Sequence, residues 1–169
     1  MVETCIALYT TLVDEYLAVP TTAQWRKIAI DFCRVWNAPN CVGAVDGKHV
    51  AIKCPPRSGS DFYNYKKFFS LVLMATCDAN YVFTTIDVGA YGREGDSSIY
   101  SSSNLCSALE SKSLGMPKHS KLVYSEPPVF LPHYFFADDA YPLKPFMLKP
   151  YPGRLTGLLS EEKRIYNYR

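Results

Sequence analysis

Hydrophobic positions in the first third of the chain recur at helical spacing. Ile6, Tyr9, Leu12, Val13, Tyr16 and Leu17 follow a 3.6-residue period, which predicts an amphipathic helix over residues 3–18. Pro20 breaks it. Thr21-Thr22-Ala23-Gln24 then has the form of a capping box, and Trp25, Ile28, Ala29, Phe32 and Val35 extend one apolar face to about Trp36. Asn37-Ala38-Pro39-Asn40 stops this second helix. Residues 1–39 therefore read as an N-terminal helical segment whose task is packing, since no cluster of catalytic residue types falls in it.

From Cys41 the pattern shortens to that of strands. Residues 41–53 are rich in valine and isoleucine, and Cys54-Pro55-Pro56-Arg57-Ser58-Gly59-Ser60 is a loop by composition. Residues 67–77 (KFFSLVLMATC) predict a central strand. Asp78-Ala79-Asn80 supplies a turn before residues 81–88 (YVFTTIDV), so the two predict an antiparallel hairpin. Gly89, Gly92 and Gly95 punctuate a loop, and Asp96-Ser97 predicts a helix start with Asp96 as N-cap. A polar, proline-bearing connection over residues 115–132 leads to a strand at 134–137. Pro142, Pro145, Pro150 and Pro152 predict short turns, and residues 161–169 a final helix. Helices, three strands, a helix and a fourth strand after a crossover make an α/β domain, with the last strand parallel to the first.

Composition narrows the class. In 169 residues, 48% hydrophobic and 20% charged, there is enough apolar matter for one globular domain. A net charge of +2 is too small to predict nucleic-acid binding by itself. The six cysteines include no C-x-x-C pair, which fits reduced thiols in an intracellular protein better than a disulfide scaffold or a zinc cluster. The run from Leu71 to Cys77 is too short to span a bilayer, and no signal peptide is expected from Met-Val-Glu-Thr-Cys; a soluble protein is expected.

Asp46 is the residue these patterns leave unexplained. It ends an apolar run, where a carboxylate is costly unless it is paired, hydrogen-bonded or bound to a metal. One reading is a turn, because Asp-Gly is a strong hairpin signal and Gly47 follows. The other is a site. Should residues 134–137 lie parallel to 41–45, Asp46 and Asp138 would meet at one edge of the sheet. Adjacent strands lie about 5 Å apart, near enough for two carboxylates to share a divalent metal.

The stretch Trp36-Asn37-Ala38-Pro39-Asn40-Cys41-Val42-Gly43-Ala44-Val45-Asp46-Gly47-Lys48-His49 resembles the start of the nuclease domain of Harbinger-type transposases and their host-derived relatives. Lys53 to Ser60, Asp87-Val88-Gly89-Ala90-Tyr91-Gly92 with Gly95-Asp96-Ser97, and Phe136-Ala137-Asp138-Asp139-Ala140-Tyr141-Pro142-Leu143 match further motifs of that family in order. The resemblance covers about Thr21 to Arg169. It implies a ribonuclease-H-like mixed sheet flanked by helices over residues 40–169, and a DDE triad of two aspartates and a glutamate holding divalent metal, Mg²⁺ or alternatively Mn²⁺. Position by position, Asp46 is the first acid and Asp138 the second, both catalytic and metal-binding; Asp139 sits where relatives often carry a glutamate beside the second aspartate. The implied chemistry is phosphodiester hydrolysis or strand transfer on DNA in the nucleus, alternatively also in the cytoplasm, with a separate DNA-binding partner protein and no membrane. Two metal ions about 4 Å apart typically activate the attacking oxygen and stabilise the leaving one.

The family's glutamate is expected on a helix beyond Arg169, so the C-terminal part of the domain is expected to be truncated here. Glu161 and Glu162 precede that place and are not substitutes. Little or no cleavage is expected of the chain as written. Lys48 and His49 suit contact with a phosphate or a plain strand surface. Tyr63-Asn64-Tyr65-Lys66-Lys67 interleaves aromatics with Lys66 and Lys67, which suits a nucleic-acid groove or a solvated loop. Asp87 is either near the metal edge or an ordinary strand residue, and His119 and His133 read as structural. Two functions follow: a metal-dependent DNA nuclease domain of transposase origin, or a non-catalytic descendant that binds DNA or a partner protein.

Overall fold

The computed structural model describes residues 2–123, 125–152 and 159–168. Helix α1 (Val2–Tyr16) forms where its period predicts but buries no residue completely. Helix α2 (Thr22–Trp36) has the predicted start: the Thr21 N–H donates to Gln24 Oε1 (2.7 Å), and the Gln24 N–H donates to Thr21 Oγ1 (3.3 Å). Such a cap stabilises a helix by about 1 kcal/mol. Asn37 closes α2 in the left-handed conformation, φ 51°. Trp25, Ala29 and Phe32 are buried, while Val35 and Trp36 at the far end stay partly exposed.

Strand β1 (Cys41–Ala51) runs unbroken through Asp46-Gly47. The Asp-Gly turn reading is thereby corrected. Strand β2 (Ser70–Cys77) pairs antiparallel with β1 from Ala44↔Cys77 to Ala51↔Ser70, and this ladder overrides the local turn preference. Strand β3 (Phe83–Tyr91) completes the predicted hairpin with β2, although both strands start later than predicted. The turns consume the difference. Asp78 Oδ1 accepts the N–H of Asn80 and Val82 (2.8 and 2.9 Å), with Tyr81 at φ 64°. Before β2, Asn64 Oδ1 accepts the N–H of Lys66 and Phe68 (3.0 and 3.2 Å), with Lys67 at φ 68°.

The single predicted middle helix is two: α3 (Asp96–Ser102) and α4 (Asn104–Glu110). Ser103 divides them and caps α4 by accepting the Cys106 N–H (3.1 Å). Strands β4 (Ser120–Lys121) and β5 (Phe130–Leu131) form a small ribbon that no periodicity announced; Asn40 Nδ2 ties it down by donating to Ser120 O and Leu131 O. Strand β6 (Tyr134–Phe136) lies parallel to β1, as the crossover predicts, and β7 (Met147–Leu148) lies parallel to β6. The sheet order is β3-β2-β1-β6-β7, a mixed five-stranded sheet in an α/β domain. Helix α5 (Glu161–Tyr168) takes the predicted final position, with Arg169 outside the described residues.

The core lies between the sheet and helices α2 to α4. Val42, Val45, Val72, Met74 and Phe135 pack there with Trp25, Ile99 and Leu105. Trp25 is fully buried, meets Phe135 edge-to-face at 5.9 Å, and donates from Nε1 to Leu114 O (3.1 Å). Gly43 admits this packing: a Cβ there would press to 2.7 Å from the Phe135 ring. All six cysteines are free thiols. Burial pushes the Cys41 thiol up to about 12, so it packs as a neutral small group.

Candidate functional site

Strand β6 leaves the sheet at Phe136, opposite Ala44, while β1 continues beside β2 alone. Asp46 and Asp138 each follow that last shared rung by two residues. They accordingly mark the carboxyl edge of the parallel pair, the place where open α/β sheets form clefts. Both side chains are exposed, and each is oriented by a local backbone donor. Asp46 Oδ1 accepts the Gly47 N–H (2.8 Å); Asp138 Oδ1 accepts the Ala140 N–H (2.9 Å). Among the described residues neither forms an ion pair.

The neighbouring Asp139 behaves differently. Its carboxylate lies 3.4 Å from Lys149 Nζ, and the same ammonium donates to its backbone oxygen (2.8 Å). Asp139 is thus committed to a cation of the chain. Asp87 sits on β3 opposite Met74, two strands from Asp46, and lines a groove with Tyr9 and Val13 of α1 and with Leu17 just after it.

Asp96 is the acid whose surroundings sequence reasoning missed. It is not the helix cap: Gly95 occupies that position, and no side chain caps α3. Its carboxylate instead lies against Gly47, where any Cβ on residue 47 would collide with Asp96 Oδ1. Burial raises the Asp96 carboxyl above its ordinary range; Asp138 and Asp46 raise it further, while His49 and Lys66 pull it down. The available signal was Gly47 itself, since glycine inside a strand marks close approach of another group.

The basic candidates divide in the same way. Lys48 is exposed on β1 and alternates with His49 across the strand. His49 is half-buried, with Nδ1 2.9 Å from Ser70 Oγ, which also accepts from Asn64 Nδ2 (2.9 Å). The ring stands edge-on to Tyr65 at 5.5 Å. Tyr65 is 77% exposed, with Lys66 Nζ 5.4 Å from its ring centre. Lys67 is exposed in the turn before β2. His133 is buried in the loop before β6, and that burial holds its imidazole below the usual range.

The donor set is one of hard oxygens. Asp46 and Asp138 suit Mg²⁺ by chemistry, because that ion takes carboxylates and keeps several waters. Among the described residues no three His, Cys, Asp or Glu side chains converge closely enough to hold a metal together. Tyr141, close to Asp138 in sequence, is buried and its hydroxyl has no hydrogen-bond partner among the described residues. No helix among them is long and apolar enough to cross a membrane.

A family model described as DDE superfamily endonuclease matches residues 45–169. Among curated proteins, "Protein ALP1-like" of Arabidopsis thaliana is 30% identical over 139 residues, 80% of this chain and 33% of its own length. "Putative nuclease HARBI1" of Rattus norvegicus is 33% identical over 101 residues, 60% of this chain and 28% of its own length. The mouse protein of the same name is 28% identical over 130 residues, 77% of this chain and 33% of its own. The chain thus spans about a third of the length of the curated relatives it matches. No solved structure gives a significant match.

Proposed function

The chain belongs to the DDE superfamily endonuclease family, and from that premise we propose that it is a metal-dependent DNA endonuclease domain of transposase origin, with a ribonuclease-H-like fold and weak activity on its own. The observation that carries this reading is the parallel pairing of β1 with β6, which sets Asp46 and Asp138 beyond one shared rung. Both carboxylates are exposed and uncommitted to any lysine or arginine among the described residues, as ligands awaiting a divalent cation should be. Weak activity follows from the donor count, since two acids at one edge hold Mg²⁺ less firmly than three.

When bound, Mg²⁺ or Mn²⁺ supplies positive charge to a phosphodiester and makes water a better nucleophile at neutral pH. The residues of the chain would do the rest. Asp46 and Asp138 would hold the ion, their orientation fixed by the Gly47 and Ala140 N–H groups. Lys48 and Lys66 would receive phosphates, and Tyr65 would offer an exposed ring on which a base can stack. His49, held at Nδ1 by Ser70, would contact a phosphate of the nucleic acid. The substrate is DNA in the nucleus, and a separate DNA-binding protein supplies the target sequence.

The second reading, a non-catalytic DNA- or partner-binding descendant, draws its support from the lack of three converging ligands among the described residues. Plasmid nicking in Mg²⁺ or Mn²⁺ separates the two. The nuclease reading expects slow nicking by the wild type and about a hundredfold loss in Asp46→Ala, the low end for loss of a group acting in the transition state. Equal nicking by both, or none by either, overturns it; DNA retention in a metal-free mobility shift then favours the second.

A further inference from the structure

We propose that the aromatic groove between the end of α2, the β2–β3 turn and α5 is a docking site for a segment of a partner protein, held through an arginine side chain.

The groove has a volume of about 690 Å³, room for a few side chains. Five rings line it: Trp36, Tyr81, Tyr134, Phe136 and Tyr166. Trp36 is 45% and Tyr81 73% exposed, although the two rings already meet edge-to-face at 5.8 Å. Apolar surface left in water on clustered Trp and Tyr side chains marks places where proteins bind. The walls are fixed in advance. Trp36 Nε1 donates to Ala79 O (2.9 Å), and Tyr166 stands edge-on to Tyr151 at 5.5 Å. Asn167 pins α5 beside the groove by exchanging two hydrogen bonds with the Tyr151 backbone (2.8 and 2.9 Å). A preformed site loses little freedom on binding.

Charge selects the occupant. Two carboxylates line the groove, Asp78 and Glu162, and no lysine, arginine or histidine among the described residues does. Neither acid forms an ion pair among the described residues. Lys163, next to Glu162, is occupied elsewhere, with Nζ 4.9 Å from the Tyr151 ring centre. Asp78 uses Oδ1 for the Asn80 and Val82 N–H groups, so Oδ2 is available to a ligand. Cys77 adds no charge to the lining, because burial and then Asp78 push its thiol up. Aromatic walls with carboxylates and no base favour a cation. They disfavour nucleic acid, whose phosphates would face like charges. Among cationic side chains arginine fits best: its guanidinium is more weakly hydrated than an ammonium, stacks on rings and pairs with a carboxylate through two N–H groups. The groove reaches Ala44 and Phe136, two residues before Asp46 and Asp138, so a docked segment would lie beside the acid edge.

Acrylamide quenching of tryptophan fluorescence tests this on the metal-free chain, so the outcome is independent of the nuclease reading. Trp25 is fully buried, and quenching therefore reports Trp36. The probe is the peptide acetyl-Ser-Leu-Arg-Leu-Ser-amide, which should protect Trp36 saturably. Glu162→Gln should weaken that binding about threefold, mid-range for an exposed ion pair. Asp78→Asn, whose amide oxygen still serves the turn, should do the same. A lysine in place of the probe's arginine should weaken binding, and a glutamate should abolish it. Equal protection by the lysine or the glutamate peptide overturns the inference. So does a lack of protection up to the solubility limit of the probe, or wild-type affinity in both carboxylate variants. Protection that instead grows with protein concentration, without peptide, assigns the groove to a second copy and likewise overturns it. If Asp78→Asn does not fold, Glu162→Gln on the exposed face of α5 decides alone.

Discussion

The two halves of β1 belong to one strand and have opposite surroundings. Residues 41–45 have β6 on one side, with β2 joining on the other from Ala44, and four of the five are buried. Residues 46–51 keep only β2, and none is buried. The difference comes from β6, which ends at Phe136 and leaves an open edge. Where a second neighbour is present, valines and a glycine make the core. Where it is missing, polar residues are affordable because water and ligands reach them.

The comparison breaks first on stability. Phe135→Ala empties the contact with Trp25 and Gly43, and large-to-small changes of this kind cost about 3–5 kcal/mol. Urea denaturation should show a loss of that size; a loss below about 1 kcal/mol would mean that the buried half is not the anchor. Gly47→Ala lies at the boundary. A strand glycine changed to alanine usually gains stability, but here the new Cβ meets Asp96. A net loss of about 1–3 kcal/mol is expected, as for overpacking, and a gain would show that Asp96 moves aside at no cost. The smallest effect belongs to Asp46→Asn without metal. The exposed amide keeps the Gly47 N–H bond, so the melting free energy should stay within about 0.5 kcal/mol. A large loss would assign Asp46 to the fold instead of to a ligand.

The helices show the same separation of pattern from surroundings. Both α1 and α2 carry apolar residues at helical spacing, and both form. Helix α2 has the cap and the buried Trp25. In α1, Ile6, Leu8, Tyr9 and Tyr16 remain exposed. Periodicity states that a face exists; another element must arrive to cover it. The candidate site was legible in part for a related reason. Asp46 and Asp138 follow from strand order and crossover direction, which are short inferences. The position of Asp96 does not, because it depends on α3 folding back over Gly47, and near Asp96 the local sequence spells an ordinary helix start.

Sequence alone determined what local physics controls. The Thr21–Gln24 cap, the apolar run of β2, the Asp78 turn, the parallel direction of β6 and the ordered acidic motifs of a Harbinger-type nuclease are all written in runs of a few residues. Tertiary structure alone decided whether Asp46-Gly47 turns or continues, how far β2 and β3 shift, that β4, β5 and β7 exist, and which acids share an edge. Each of those outcomes is the sum of weak local preferences against many contacts from distant parts of the chain. At Gly47 the ladder to β2 and the Asp96 carboxylate together outweigh a two-residue turn signal, and no window of sequence contains both.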